Sequence, residues 1–163
     1  PGAVRPHGPT LVAGVAGGLR AQVRPGDVVV ATEVRGPAGP TFAPGAPALA
    51  AALRRLGLRT HLGPIVSVRR PVDGLARRKL AETGALAVDM ESAFLTPVAG
   101  PFAVIRSIVD TSDRPLWRLG TVWRGIRALR ALRRAAPAIA DWVEHHDRQA
   151  EDDSRTTTPQ EVN

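Results

Sequence analysis

The sequence predicts an α/β layered domain with a largely buried sheet. Short apolar runs typical of strands alternate with segments of helical periodicity, which is the pattern of a layered α/β fold. The 163 residues are 44% hydrophobic, which is enough for one sizeable core. We therefore expect a single domain over residues 1–146, followed by a disordered tail over the polar, aperiodic residues 147–163.

Five strands are expected from apolar runs that are bounded by turn residues. They cover residues 10–16, 28–34, 61–68, 85–89 and 102–109. The first is expected to end in a tight turn at "GGL", and the Pro-Gly pair at 25–26 begins the second. The last, "FAVIRSIV", is the most apolar. The prolines and glycines of residues 35–47 predict a loop without regular structure.

Helical periodicity predicts four helices, over residues 48–56, 74–83, 91–99 and 119–146. Gly57 and Gly84 follow two of them as expected for helix ends, and Asp73 precedes one as a candidate cap. Pro137 is expected to kink or split the last helix, because proline removes a backbone hydrogen bond there.

The charge balance is strongly basic, with a formal net charge of +7 and a pI near 11.5. The cations are arginines apart from Lys79, so the balance attracts phosphate, anionic lipid or nucleic acid but also fits a GC-rich coding bias. There are no tyrosines and only three Phe and three Trp, so a base-stacking surface is poorly supplied. Nucleic acid is therefore not an expected partner.

Several classes of protein are disfavoured. The chain has no cysteine, hence no disulfide, and no apolar run long enough to span a bilayer or to mark a secretion signal. A cytoplasmic, soluble protein is expected. The only methionine is Met90, so the chain lacks an initiator methionine and is either processed or a fragment.

Glycine-rich or acidic segments follow three predicted strands, at the strand ends where open α/β sheets usually bind ligands. The three segments are "GVAGGL" at 14–19, "VDMES" at 88–92 and "VDTSD" at 109–113. The glycines of the first let a backbone approach a ligand closely, although an ordinary tight turn would look the same. Asp110 follows a mostly apolar strand of eight residues, and burial would favour the protonated form needed by a general acid. A turn or helix cap is the alternative for Asp110.

Glu91 and Arg106 have two interpretations each. Glu91 begins a predicted helix, where its charge favours the positive helix end, but a carboxylate there could also accept two hydrogen bonds from a vicinal diol. Arg106 lies inside the apolar strand and should pair with Asp110 or a neighbouring acid, because an unpaired buried charge is unfavourable.

The last predicted helix is basic and amphipathic. Its arginines are Arg124, Arg127, Arg130, Arg133 and Arg134, with Val122, Ile126, Leu129 and Leu132 between them. A solvated face is the ordinary interpretation, and peripheral contact with an anionic membrane is the alternative. His145 and His146 are adjacent and so point in different directions, while His7 and His61 are isolated. No metal site is expected.

Five motifs in order resemble the purine nucleoside phosphorylase and methylthioadenosine/S-adenosylhomocysteine nucleosidase superfamily. They are "GVAGGL", "PGDVVV", "GPIVS", "VDMES" and "IRSIVD". The resemblance implies a three-layer phosphorylase/hydrolase-like α/β domain with a central mixed sheet. The C-terminal part from Arg114 on further resembles the hopanoid-associated nucleoside phosphorylase branch. The implied activity is cleavage of the N-glycosidic bond of a 5′-substituted adenine nucleoside, by water or with phosphate as co-substrate and no other cofactor.

The resemblance also implies roles for residues. Asp110 matches the aspartate that hydrogen-bonds or protonates the purine imidazole nitrogen, and Glu91 matches the glutamate that holds the ribose hydroxyls. The other implied substrate contacts are Met90 beneath the sugar, Ala16 and Gly17 near ribose and base, and Val72 near the base. Arg106 is also expected among the substrate-binding residues. A homo-oligomer is also implied.

The departures from the family pattern are concentrated at the N-terminus. Nothing before Thr10 supplies the family's first strand and glycine-rich loop, so the fold is expected to lack its first strands. The alternative function is therefore a truncated nucleoside-binding module without turnover.

Overall fold

The structure is a computed structural model that describes residues 8–95, 100–111 and 121–156, with side chains described for 125–152 in the last range. The strands are β1 (Thr10–Gly18), β2 (Val28–Gly36), β3 (Gly39–Phe42), β4 (Thr60–Ser67), β5 (Ala87–Asp89) and β6 (Phe102–Thr111). The helices are α1 (Ala46–Arg55), α2 (Gly74–Glu82) and α3 (Thr121–Thr156), and a 3₁₀ turn covers Ser92–Phe94. Strands and helices alternate, as the sequence predicts.

The strands form one mixed sheet in the order β3-β2-β4-β5-β1-β6. The pairs β1–β6, β2–β4 and β4–β5 are parallel, whereas β1–β5 and β2–β3 are antiparallel. The start of β2, Val28–Val30, also pairs with β6, so the sheet closes on itself. The predicted α/β fold with a central mixed sheet is confirmed.

Both faces of the sheet are buried, because successive strand residues point to opposite sides. In β2, Val28 and Val30 pack in the cluster that contains α1 and α3, while Val29 and Ala31 pack in a second cluster on the other face. A third, smaller cluster joins α2 to β5 and to Leu19 after β1. The near-continuous apolar runs of the sequence follow from this two-sided burial.

Helix α3 packs on the sheet mainly through alanines and Trp142. Its buried residues have helical spacing and are Ala128, Ala131, Ala135, Ala138 and Trp142. The expectation that Leu129 belongs to the apolar face is wrong, since its side chain is 62% exposed. Ile126 and Leu132 are half-buried, and the side chains of Val122 and Arg124 lie outside the described residues.

The expectation of an irregular loop over residues 35–47 is wrong. Strand β2 runs to Gly36, pairs with β3 from Gly36 opposite Gly39, and α1 begins at Ala46. Gly39 has a φ of +104°, which lets the chain reverse tightly between the two strands. Pro40 is tolerated because β3 is an edge strand, where a missing N–H breaks no inner ladder.

One expectation for the C-terminal helix is also wrong. Helix α3 continues to Thr156, so residues 147–156 are not disordered. This segment contains good helix formers such as Gln149, Ala150 and Glu151, which extend a helix without an apolar period. The helix is not split at Pro137, and the alternative of a kink there stays a prediction. Residues 157–163 lie outside the described residues, and the single domain over 1–146 stays a prediction.

The helix expected over residues 91–99 is a single 3₁₀ turn, Ser92–Phe94, in the part that the structure describes, while 96–99 lie outside it. Within the described ranges, every helix is too short or too polar to span a lipid bilayer.

Candidate active site

A cavity of about 210 Å³ lies where the ends of β1, β5 and β6 meet α2. Six of the seven residues expected in the site line it: Ala16, Gly17, Val72, Met90, Glu91 and Asp110. Most of the remaining wall is apolar and includes Val15, Val68 and Val109. A concave, mostly apolar space with a few polar groups is typical of a small-molecule site.

Strand register brings the separate sequence motifs together. Gly17 pairs with Asp110 of β6 and with Val88 of β5, so the glycine, acidic and strand-end motifs meet at one point. The expectation of a tight turn at Gly17 is wrong, because β1 continues to Gly18. An irregularity between Ala16 and Gly17 shifts the register there, as a β-bulge does near many active sites.

Asp110 is buried in the cavity wall and is paired with Arg77 of α2. Arg77 donates from Nη1 to Asp110 Oδ2 at 2.8 Å and from Nη2 to the carbonyl oxygen of Gly18 at 2.9 Å. The guanidinium offsets the unfavourable burial of the carboxylate. Arg77 was not among the expected site residues. The sequence does contain one signal for Arg77. Arg77 lies on the same face of α2 as Leu80 and Ala81, and an arginine on an apolar face needs a partner.

Glu91 and Met90 lie at the open side of the cavity. The side chain of Glu91 is 67% exposed, and its Oε2 accepts a hydrogen bond from Arg106 Nη1 at 3.3 Å. Met90 is half exposed. A carboxylate has about four acceptor sites, so Glu91 keeps capacity for hydroxyl donors after its contact with Arg106.

Arg106 lies behind the cavity wall rather than in it and reaches the site through Glu91. It is fully buried and its Nε lies 2.6 Å from Asp89 Oδ2, so its partner is Asp89 and not Asp110. Arg106 Nη2 also donates to Ser92 Oγ at 2.9 Å. A Cβ on Gly14 would fall 1.9 Å from Arg106 Nη1, so only glycine leaves room for the guanidinium.

Asp89 has a structural role. It accepts hydrogen bonds from the hydroxyls of Ser67 and Ser92 and from the backbone N–H of Ser92, at the start of the 3₁₀ turn. With Arg106, these groups form a satisfied buried polar network directly behind Glu91.

Other candidates from the sequence have roles outside the cavity. Asp73 occupies the position before α2 but its side chain makes no capping hydrogen bond. His61 contacts Asp27 at 2.8 Å, and His146 contacts the carbonyl oxygen of Trp142. Among the described residues there is no group of three or more potential metal ligands. His7 lies outside the described residues.

The family model described as the phosphorylase superfamily matches residues 10–136, which is most of the chain. The chain belongs to the phosphorylase superfamily. No curated protein matches it in sequence.

Solved structures share the fold of this phosphorylase-superfamily chain. A 5′-methylthioadenosine/S-adenosylhomocysteine nucleosidase from Helicobacter pylori, with butyl-thio-DADMe-Immucillin-A, aligns with a TM-score of 0.64 and 22% identity over 84% of this chain and 68% of that one. An S-adenosylhomocysteine nucleosidase from Streptococcus pyogenes, in complex with 5-methylthiotubericidin, aligns at 0.58 and 21% over 77% and 66%. A futalosine hydrolase mutant of Helicobacter pylori strain 26695 aligns at 0.61 and 22% over 82% and 68%. The chain spans about two thirds of each.

Proposed function

We propose that the chain binds a purine nucleoside in this cavity and cleaves its N-glycosidic bond. The observation that carries the proposal is that Asp110 and Glu91, which follow different strands, line the same mostly apolar cavity. Gly17 also lines it and pairs with both β5 and β6. Membership of the phosphorylase superfamily and the nucleosidases among the similar structures support it.

Asp110 is the group proposed to act on the base. As the bond from the sugar to the purine breaks, negative charge develops on the base. The imidazole nitrogen is an acceptor, so Asp110 acts in its protonated form: Oδ1 carries the proton and donates it to that nitrogen, while Oδ2 keeps its contact with Arg77. Asp110 is 5% exposed, so water competes little for its carboxyl group.

Glu91 is the group proposed to hold the sugar. Its exposed carboxylate can accept hydrogen bonds from the 2′- and 3′-hydroxyls, and Met90 beside it offers an apolar surface beneath the ring. Positive charge develops on the sugar in an oxocarbenium-like transition state, and a nearby carboxylate favours it. The same Glu91–Arg106 contact fixes the carboxylate in place. Ala16, Gly17 and Val72 are proposed as the remaining contacts.

The proposed substrate class is a 5′-substituted adenine nucleoside, such as methylthioadenosine, S-adenosylhomocysteine or an adenosylated hopanoid. The acceptor is proposed to be water, with phosphate as the alternative co-substrate. The apolar walls, which include Val15, Val68 and Val109, suit the faces of a purine and of a sugar.

The test is incubation of the chain with methylthioadenosine, adenosine and S-adenosylhomocysteine, with and without phosphate, followed by chromatography of base and sugar products. Free base and free sugar indicate hydrolysis, whereas a sugar 1-phosphate that needs added phosphate indicates phosphorolysis. Calorimetry with the same nucleosides runs in parallel. Binding without base release would replace the proposal with a nucleoside-binding module, and neither binding nor release would overturn both.

A homo-oligomer is proposed for the same protein. Met90, which lines the cavity, and Phe94 and Leu95, which follow it in the sequence, are each about half exposed, and large exposed apolar groups favour association. Light scattering of the purified chain tests this, and a monomer at every concentration would contradict it.

Peripheral contact with an anionic membrane is proposed through α3. Arg127, Arg130, Arg133 and Arg134 are exposed on this helix, and Arg134 also donates to the carbonyl oxygen of Leu56. Co-sedimentation with vesicles that contain an anionic lipid should weaken when Arg127 and Arg130 are replaced by Gln. Sedimentation insensitive to both changes would rule the contact out.

A further inference from the structure

We infer that Arg77 is a positioning residue for the proposed reaction, because it holds one oxygen of Asp110 and leaves the other for the substrate. The inference rests on the proposed function and adds to it a residue from α2. The juxtaposition that carries it is a buried arginine bonded both to Asp110 and to the end of β1.

The guanidinium of Arg77 has two anchors. Nη1 donates to Asp110 Oδ2 at 2.8 Å, while Nη2 donates to the carbonyl oxygen of Gly18 at 2.9 Å and approaches that of Asp110 at 3.4 Å. Because the guanidinium is planar and its donors are fixed in direction, contacts from both terminal nitrogens set the orientation of its plane. The Asp110 carboxylate is therefore held relative to β1 as well as to β6.

The second oxygen of Asp110 is the one available to a ligand. Among the described residues, none donates a hydrogen bond to Oδ1. A Cβ on Gly17 would lie 2.8 Å from Oδ1 and 2.6 Å from Arg77 Nη2, so Oδ1 lies against a residue of the cavity wall. Glycine at position 17 thus leaves room both for the pair and for access to Oδ1.

A role as an anchor for α2 alone does not account for the choice of arginine. Arg77 is the only buried residue of α2, so it does fasten the helix to the sheet. An apolar side chain would do this without burying a charge, which is unfavourable unless every donor is satisfied. In the described part of the chain, the buried Nε of Arg77 has no partner. The fold accommodates an arginine here despite its unsatisfied donor, and the contact with Asp110 is what an apolar side chain could not supply.

The experiment is a double-mutant cycle of Arg77→Gln and Asp110→Asn in the full chain. Turnover of methylthioadenosine and the affinity for adenine are measured for all four proteins, with melting temperature as the readout of folding. Arg78→Gln is the matched control, because Arg78 is the next residue of α2 and its side chain is exposed. Arg77→Lys keeps the charge but not the two-ended contact, and it carries the test if Arg77→Gln does not fold.

We expect Arg77→Gln to lower kcat by about 10- to 100-fold with a change in KM below about threefold, since a misplaced catalytic group affects the transition state more than binding. In the Asp110→Asn background the same change should alter kcat and adenine affinity by less than about twofold, because Arg77 then has no carboxylate to orient. Arg77→Lys should recover only part of kcat. Arg78→Gln should leave kcat unchanged.

Three results would overturn the positioning role while leaving the proposed function intact. They are a wild-type kcat in Arg77→Gln, full recovery of kcat by Arg77→Lys, and losses that multiply in the double variant. Failure of the proposed function looks different. In that case the wild type releases no base from any nucleoside, or Asp110→Asn turns over as fast as the wild type, and the positioning role is then overturned with it.

Discussion

Arg77 and Asp110 form a buried ion pair, with 2.8 Å between Nη1 and Oδ2, although 33 positions separate them in the sequence. The pair joins α2 to the end of β6 at the cavity wall. The candidate site is therefore built from three strand ends and one helix. A substitution in α2 can alter the position of Asp110, the residue proposed to act on the base.

Gly17→Ala should impair the site directly. The new Cβ would lie 2.6 Å from Arg77 Nη2 and 2.8 Å from Asp110 Oδ1, so one or both members of the pair must move. We expect kcat/KM for methylthioadenosine to fall by about 100-fold, as for a misplaced catalytic group.

The matched control is Gly125→Ala on α3. A Cβ there meets open space, so turnover should not change, and replacing a helical glycine should stabilise the protein by up to about 1 kcal/mol. Normal turnover in Gly17→Ala would show that the close packing of this pair is not needed.

Glu91→Gln should weaken the hold on the ribose. The substitution keeps the size of the side chain but removes the charge that favours an oxocarbenium-like sugar, so kcat/KM should fall by roughly 10- to 100-fold. The melting temperature should hardly change because the side chain is 67% exposed. Steady-state kinetics on adenosine and 2′-deoxyadenosine measure the effect.

The ratio of kcat/KM for adenosine to that for 2′-deoxyadenosine tests the contact with the 2′-hydroxyl most directly. The wild type should prefer adenosine, and Glu91→Gln should lose most of that preference. Glu82→Gln, in an exposed position of α2, is the control. An unchanged preference in Glu91→Gln would show that another group binds the 2′-hydroxyl.

Arg106→Met should destabilise the fold strongly. The change leaves the buried carboxylate of Asp89 without its cation, and loss of one partner from a buried pair typically lowers the free energy of unfolding by about 3–5 kcal/mol. Urea denaturation measures the loss. The double variant with Asp89→Asn should recover part of it, because the unpaired charge is then absent. A loss below about 1 kcal/mol, the range of surface pairs, would contradict the assignment of this network to the core.

The Glu33–Arg35 pair should give a small dependence of stability on pH. The hydrogen bond from Arg35 lowers the pKa of the Glu33 carboxyl group below its usual value of 4.5. A carboxyl group with a lowered pKa in the folded state stabilises the fold above its unfolded pKa, and this contribution disappears as the pH falls through the folded value. The pair is partly exposed, so the contribution should stay below about 1 kcal/mol.

Denaturation of the wild type and Glu33→Gln between pH 7 and pH 3 measures this contribution. The difference in stability between the two proteins should shrink toward acid. A difference that grows as the pH falls would contradict the sign.

The fold and most of the site could be predicted because their signals are local. Strands buried on both faces give continuous apolar runs, and the motif order places Gly17 on β1 and Asp110 on β6, which become neighbours through parallel pairing. Arg77 could not be assigned in the same way. Its partner is set by how α2 packs on the sheet, and α2 has no local pattern that identifies the strand end it faces.

The segments that differ from their predicted structure do so for physical reasons. Proline and glycine over residues 35–47 predicted a loop, yet both are compatible with an edge hairpin such as β3. The polar residues 147–156 lack an apolar period, but they continue a helix that is already nucleated, and extension needs only reasonable propensity. For Arg106 the sequence left Asp110 or a neighbouring acid open as the partner, and the structure has Asp89 on β5 in that place.

The most direct test of the account is Asp110→Asn in the full chain, with base release and nucleoside affinity measured together. The amide keeps the shape of the side chain but can neither carry the charge nor supply the proton, so kcat should fall by about 100- to 10,000-fold. The Kd for methylthioadenosine should change far less. Turnover within a fewfold of the wild-type rate would contradict the central claim that Asp110 acts on the departing base.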